Sequence, residues 1–590
     1  MTSLSQTVSC IALSPGIAIG RVLPMHSPGR SSAPEKREIS PDNVDFEVAR
    51  LNEAIAASRS QIEALQSGLK DNLDDHLAQI FDAHLLLVDD RMMCKAVEKH
   101  IRSDFWNAEY AVYVESEHYI SVLEQVQDEY LRERSADLRD VAGRIISNLT
   151  DQEIRRFESD GRRIVVAHSL SPSETAGLDQ KNTLGFAVES GGVASHTALL
   201  ARSMGIPAVA GVPADMIDRL SVSDKVIIDG YSGRFIVNPD PILEESFRLK
   251  AAAADKFRSK LEGENNLVSE TVDGFRVPLA ANIESSNQVS AALKQGAEGV
   301  GLFRTEFLYL NTVVPPDEET QFRIFKQLLI EADDAPVTIR TLDLGGDKLP
   351  NGSQYRRLED NPFLGLRGVR LCLYERRDLF DTQLRALLRA GVFGKLQVML
   401  PMVSSVQEVR EVKAIISQLQ QQLESEGKDY VRKLSLGVMI ETPAAALQAD
   451  HFAGLVDFFS IGTNDLVQYT MAMDRGNEQV AYLYRPANPA VLKLIHSCVE
   501  AASRQNIYVT VCGQMAADPV LAVLLIGLGV NKLSMEPASL PLVRRVIREI
   551  SYYEAERLAD LALNAEDSAQ AQKPIVDLLQ KRLPEMFVNN

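Results

Sequence analysis

Apolar residues recur at three- and four-residue spacing from about residue 42 to 150, as in VDFEVARLNEAIAASRSQIEALQSGL and HLAQIFDAHLLLVDD. That spacing predicts amphipathic helices, and the stretch has few glycines and almost no proline before residue 172, so it reads as a helical bundle. On either side the apolar runs are short. TVSCIALSPGIAIGRVL (7–23) reads as short strands around a Pro-Gly turn. IVVAH (164–168), LGFAVE (184–189), IPAVAG (206–211), KVIIDG (225–230) and RFIVNP (234–239) read as further strands. The expectation is an α/β domain made of residues 1–30 and 151–240, with residues 31–150 inserted in it as the helical block. Residues 241–265, charged and rich in alanine, read as a connecting helix able to act as a hinge.

In the second half eight short apolar segments recur, each followed by a helical stretch. They are VPLAAN (277–282), GVGLFR (299–304), VTIRTLD (337–343), LQVMLPM (396–402), LGVMIE (436–441), VDFFSIG (456–462), YVTVC (508–512) and KLSM (532–535). Eight alternations of strand and helix predict a (β/α)8 TIM barrel over residues 266–590. Several segments end in a polar or reactive residue: Asn282, Arg304, Arg340 with Asp343, Glu441, Asn464 with Asp465, and Cys512. Active sites of such barrels lie at the C-terminal ends of the strands, so these residues are expected to converge on one mouth. The fold class is therefore multidomain α/β.

Length and charge narrow the classes of function. A chain of 590 residues should hold several domains. The balance of 62 basic against 81 acidic residues, −19 overall, argues against general nucleic-acid binding and suits a basic protein partner. Five scattered cysteines without a CxxC pair read as reduced thiols. No apolar run reaches about 18 residues, and the first residues lack a basic leader, so a cytoplasmic protein with no membrane association is expected.

The candidate chemistry falls in two places. In SGGVASHTALLARSMGIPAVAG (190–211) a Gly-Gly turn precedes Ser195, a capping residue, and then an apolar helical pattern up to Gly205. His196 thus sits at a helix N-terminus, where free backbone N–H groups favour an anion and the dipole keeps an imidazole unprotonated and nucleophilic. On the barrel side, Arg304, Arg340, Arg367 and Arg475 can hold a phosphate and a carboxylate. Glu441 and Asp465 are hard oxygen ligands suited to Mg2+, Asn464 and Lys348 can reach a phosphoryl oxygen, and Cys512 can deliver a proton. Together they point to phosphoryl transfer from a compact, carboxylate-bearing donor.

These residues resemble enzyme I of the bacterial phosphoenolpyruvate:sugar phosphotransferase system nearly end to end. The resemblance rests on GGVASHTALLARSMGIPAVAG, GAEGVGLFRTEFLYL, RTLDLGGDK, DNPFLGLRGVR, ETPAAA, DFFSIGTNDLVQYTMAMDRGN and VCGQMAADP, in that order. It implies that His196 is phosphorylated and that Thr175 contacts it. It further implies that Arg304, Arg340, Lys348, Arg367, Asn464 and Arg475 surround phosphoenolpyruvate, that Glu441 and Asp465 bind magnesium, and that Cys512 protonates the enol carbon. The inserted bundle then docks the phosphocarrier protein HPr, and the barrel forms a homodimer. A swivel about the linker would carry His196 between the barrel and HPr, with Asp74, Asp75, Asp82 and Glu115 as acidic docking residues. Three departures from the family pattern stand out: Val193-Ala194 in place of a polar pair, Gln514 where Glu is usual, and Leu366 in place of an aromatic. A dikinase would need a nucleotide-binding domain for which the chain has no room, and a degenerate regulator would not need intact His196, Glu441, Asp465 and Cys512. A nitrogen-branch paralogue would carry a sensory domain in front.

Overall fold

The computed structural model describes residues 5–25, 33–70, 81, 84–124, 129–150, 161–170, 174, 178, 182–192, 195–310, 314–345, 359, 361–475, 477 and 479–587. For His196 the description covers the backbone. Thr175, Val193, Ala194, Lys348, Asp74, Asp75 and Asp82, all named above, lie outside the described residues. The chain divides into two compact units, which meet in sequence within the helix Pro241–Gly263: Met1–Lys256 and Phe257–Phe587.

The first unit holds an eight-stranded sheet of β1 (Gln6–Ser9), β2 (Ile11–Ser14), β3 (Ile17–Met25), β4 (Arg163–Ala167), β5 (Thr183–Val188), β6 (Ala208–Ala210), β7 (Lys225–Asp229) and β8 (Arg234–Val237). Their order is β1-β8-β7-β3-β4-β5-β6-β2. β3, β4, β5 and β6 run parallel at its centre, and the flanking pairs are antiparallel. β4, β5 and β6 are buried on both faces, which is why they read as unbroken apolar runs rather than alternating ones. The helices Val44–Lys70, Arg91–Asp104, Ala108–Glu124 and Glu129–Leu149 all lie in the crossover from β3 to its neighbour β4. Their apolar stripes meet in a separate core of Leu51, Ile62, Val97, Ile101, Val112, Val141 and Ile145.

In the second unit β9 (Leu279–Ile283), β10 (Val300–Phe303), β11 (Val337–Arg340), β12 (Leu396–Leu400), β13 (Ser435–Ile440), β14 (Phe458–Ile461), β15 (Tyr508–Val511) and β16 (Lys532–Met535) close into a parallel barrel. Every one of the eight apolar segments read from the sequence overlaps one of these strands. The barrel interior is packed: Leu302, Met399, Met439, Phe458 and Cys512 form a cluster inside it, each no more than 4% exposed. Among the described residues no helix is long and apolar enough to cross a membrane.

Candidate active site

In the first unit, β5 leads through the glycine turn into the helix His196–Met204. Ser195 caps that helix, its Oγ accepting from the N–H of Ala198 at 3.4 Å. Gly205 ends it in the left-handed conformation, φ 65°. Gly191 has φ 147°, a conformation that favours glycine, and a side chain there would also crowd Ser195 Oγ. Next to this turn His168 lies between two carboxylates, Nδ1 to Glu189 at 2.5 Å and Nε2 to Asp218 at 2.9 Å. Hydrogen bonding to Glu189, with Asp218 on the other nitrogen, holds its pKa above the usual imidazole range. The N–H of Ser190 donates to the carbonyl of His168, so this group buttresses the loop that leads to His196.

Within the barrel unit, the parallel strands carry their C-terminal residues to one end. Arg340 closes β11, and its Nη2 donates to Glu306 at 2.6 Å and lies 3.3 Å from Asp343. Arg367 is fully buried, with Nε and Nη2 on the two oxygens of Asp343 (3.2 and 3.0 Å), Nη1 on Tyr469 Oη at 3.3 Å and Nη2 3.5 Å from Asp465. Burial alone would lower the pKa of both guanidinium groups, but the surrounding carboxylates hold both above the ordinary arginine value. Arg304 and Arg475 are the solvent-facing pair, 41% and 34% exposed, with Arg304 2.8 Å from Glu284 and Arg475 4.0 Å from Asp465. The two arginine pairs therefore differ in kind. Arg340 and Arg367 are buried among carboxylates, with Arg340 Nε left without a hydrogen-bond partner, whereas Arg304 and Arg475 are partly open to solvent.

Glu441 follows β13 directly, next to Thr442, whose Oγ1 caps the helix Pro443–Leu447 by accepting from Ala445 at 3.1 Å. Glu441 Oε1 accepts from the N–H of Met402 at 2.6 Å, and burial together with Asp465 and Asp343 pushes its pKa up to about 8. Asn464 and Asp465 were expected to end a strand. They lie instead in the first turn of the helix Thr463–Thr470. The chain turns out of β14 at Gly462 (φ −84°, ψ 79°), where a Cβ would lie 2.8 Å from Glu441 Oε2, and the following residues then enter a helix. Asn464 Oδ1 accepts from the N–H of Gln514 at 2.8 Å, which turns the amide NH2 away, free to donate. Cys512 follows β15; its Sγ accepts from Ser460 Oγ at 3.2 Å, and burial raises the thiol pKa, so at neutral pH it keeps its proton.

Two of these carboxylates suit a hard divalent cation. Asp465 Oδ1 is buried with no hydrogen-bond partner, and Glu441 is raised by burial and the neighbouring carboxylates, so a cation between them would satisfy both. Among the described residues no group of three or more His, Cys, Asp or Glu side chains could hold a metal ion. A pair of carboxylates suits a hard ion that takes its other ligands from water and substrate.

The partners Glu306, Glu284, Ser460 and Tyr469 escaped the sequence reading. Glu115, expected to face a basic partner, is 13% exposed and meets His100 Nε2 at 3.2 Å through Oε2.

Residues 9–134 match the N-terminal domain of the PEP-utilising enzymes, residues 160–233 their mobile domain and residues 258–552 their PEP-binding domain. A Geobacillus stearothermophilus protein named phosphoenolpyruvate-protein phosphotransferase is 42% identical over 563 residues, 95% of this chain and 96% of its own length. One of the same name from Staphylococcus aureus (strain MSSA476) is 39% identical over 581 residues, 98% of this chain and 99% of its own. The NMR solution structure of an enzyme I protein (nEIt) covers 42% of this chain and 99% of its own at 35% identity, with a TM-score of 0.36.

Proposed function

The chain belongs to the phosphoenolpyruvate-protein phosphotransferase family, and from that premise we propose that it carries phosphate from phosphoenolpyruvate on His196 to a histidine of HPr. Pyruvate is the product released, and the setting is the first step of sugar uptake in the cytoplasm, with the barrel as dimerisation domain. The observation that supports this best is the convergence at one barrel end of paired guanidinium groups, two carboxylates, an oriented amide and a protonated thiol.

Arg304, Arg340, Arg367 and Arg475 bind the phosphate and carboxylate of the substrate, and Arg340 and Arg367 also hold Asp343 and Asp465 in place. Asn464 donates to a phosphoryl oxygen. Magnesium held by Glu441 and Asp465 would neutralise charge on the phosphoryl oxygens. His196 attacks phosphorus in line from a helix N-terminus that also welcomes the anion it becomes. Cys512 protonates the carbon of the departing enolate. Thr175 is assigned to the His196 side and Lys348 to the phosphate. The acceptor and the donor site belong to different compact units, so the reaction draws on both.

With magnesium and substrate but no HPr, pyruvate should appear in one burst of about one equivalent per chain, and adding HPr should make its production continuous. Continuous production without any acceptor protein would contradict transfer through His196.

The raised carboxyl gives the ion site a pH dependence of definite sign. Below pH about 8 Glu441 carries a proton that a cation must displace, so magnesium affinity should fall as pH is lowered, by up to about tenfold per unit. Because Glu441 ionises at 4.5 when unperturbed, the metal-free fold should lose stability as pH rises from that value towards about 8. Magnesium should offset that loss. Thermal melts between about pH 6 and 9, with and without the ion, check both.

Gly513→Ala should damage the site through the backbone. A Cβ there would lie 2.0 Å from Thr463 Oγ1, 2.7 Å from Thr463 N and 3.0 Å from Asn464 Oδ1. The expected cost is about 1–3 kcal/mol of stability. Displacing Asn464 should also lower turnover by roughly 10²-fold, read as the rate of pyruvate formation.

A further inference from the structure

We propose that Ser460 is a positioning residue for proton delivery by Cys512. The proposal rests on the assignment of Cys512 as the acid for the enolate carbon.

Ser460 is the third residue of β14 and 1% exposed. It stands opposite Thr510 in β15, two residues before Cys512, so its side chain reaches the sulfur diagonally across the strand pair. Leu302, Met399, Met439 and Phe458 pack about Cys512, and the charges of Arg340, Arg304 and Glu441 act on it from nearby. A hydroxyl buried there needs an acceptor, and it has one: its Oγ donates to Cys512 Sγ at 3.2 Å. With one side of the sulfur taken by that donor, the thiol proton is left to other directions, and in this structure Sγ faces the carbonyl of Ile461 at 3.7 Å. Ser460 thus fixes which way the S–H can turn.

A neutral sulfur is a weak acceptor, and a thiolate is a strong one. In the proton transfer the S–H bond breaks and a C–H bond forms at C3, using the electron pair of the enolate double bond. The enolate oxygen becomes the ketone of pyruvate. The thiolate left behind is held by the Ser460 hydroxyl until solvent water returns a proton. The hydrogen bond therefore strengthens as charge grows on sulfur, and it acts on kcat rather than on substrate binding.

The test uses the full-length protein with magnesium and excess HPr, comparing wild type, Ser460→Ala, Ser460→Thr and Cys512→Ala. Two quantities are read: kcat and KM for phosphoenolpyruvate, and the chirality of the pyruvate methyl group. The latter is obtained from substrate stereospecifically deuterated at C3 and turned over in tritiated water. Ser460→Ala should lower kcat about tenfold with KM within about twofold, and it should erode the chirality because enolpyruvate escapes to be protonated from either face. Ser460→Thr, which keeps the hydroxyl, should restore both. If Ser460→Ala retains wild-type kcat and chirality, or if Ala and Thr lower kcat alike with chirality intact, the proposal fails. Loss of chirality in Cys512→Ala but not in Ser460→Ala would overturn this proposal alone. Full chirality in Cys512→Ala would remove the assignment on which it rests.

Discussion

His196→Ala should reduce incorporation of phosphate from phosphoenolpyruvate to background, at least about 10⁴-fold below wild type, without unfolding the protein. The helix does not depend on the imidazole. Its cap is Ser195, its stop is Gly205, and its buried face is supplied by Ala198, Leu200 and Ala201. Alanine at the first helical position is also a good helix former. The melting temperature should therefore stay within about 2 °C, because the cap, the stop and the buried face of the helix are all kept. Substrate should still bind at the barrel, because the groups assigned to binding it lie in the other unit. Retained binding with lost incorporation, measured by filter binding and by labelling on one preparation, separates a missing acceptor from a damaged fold.

Arg367→Met should have the largest effect on stability, about 3–5 kcal/mol. The guanidinium is fully buried and touches Asp343, itself fully buried, as well as Asp465 and Tyr469. Without it Asp343 and Asp465 are left facing Glu441, with Arg340 as the cation beside Asp343. Breaking one side of a buried ionic group is costly because the other side stays charged and desolvated. A second substitution, Asp343→Asn, should recover part of the loss. Thermal unfolding of the single and double variants checks this. An unchanged melting temperature would contradict the ionic role assigned to this buried guanidinium.

The barrel was legible because its strands are buried on both faces, which writes each of them as a continuous apolar run bounded by helical spacing. The strand-end chemistry was legible for a related reason. A charged or reactive residue directly after such a run, such as Arg304, Glu441 or Cys512 after its strand, stands out against it. What the sequence conceals is pairing. Arg340 meets Glu306 34 residues away, and Arg367 meets Tyr469 102 residues away, contacts made only when the barrel closes. Ser460 was hidden differently, as one small residue inside the apolar run VDFFSIG. The first sheet shows the same limit. Its strands could be read one by one, but an order that places β1 beside β8 and β2 beside β6 depends on antiparallel edges that no local pattern encodes.

The most direct test of the central claim is to locate the phosphate. Wild-type protein is incubated with magnesium and phosphoenolpyruvate labelled in its phosphate, quenched in alkali, cleaved and mapped. The expected result is about one acid-labile, alkali-stable label per chain, carried by His196 and discharged on adding HPr. A folded protein that takes up no label, or one that carries it on a different residue, would contradict the account.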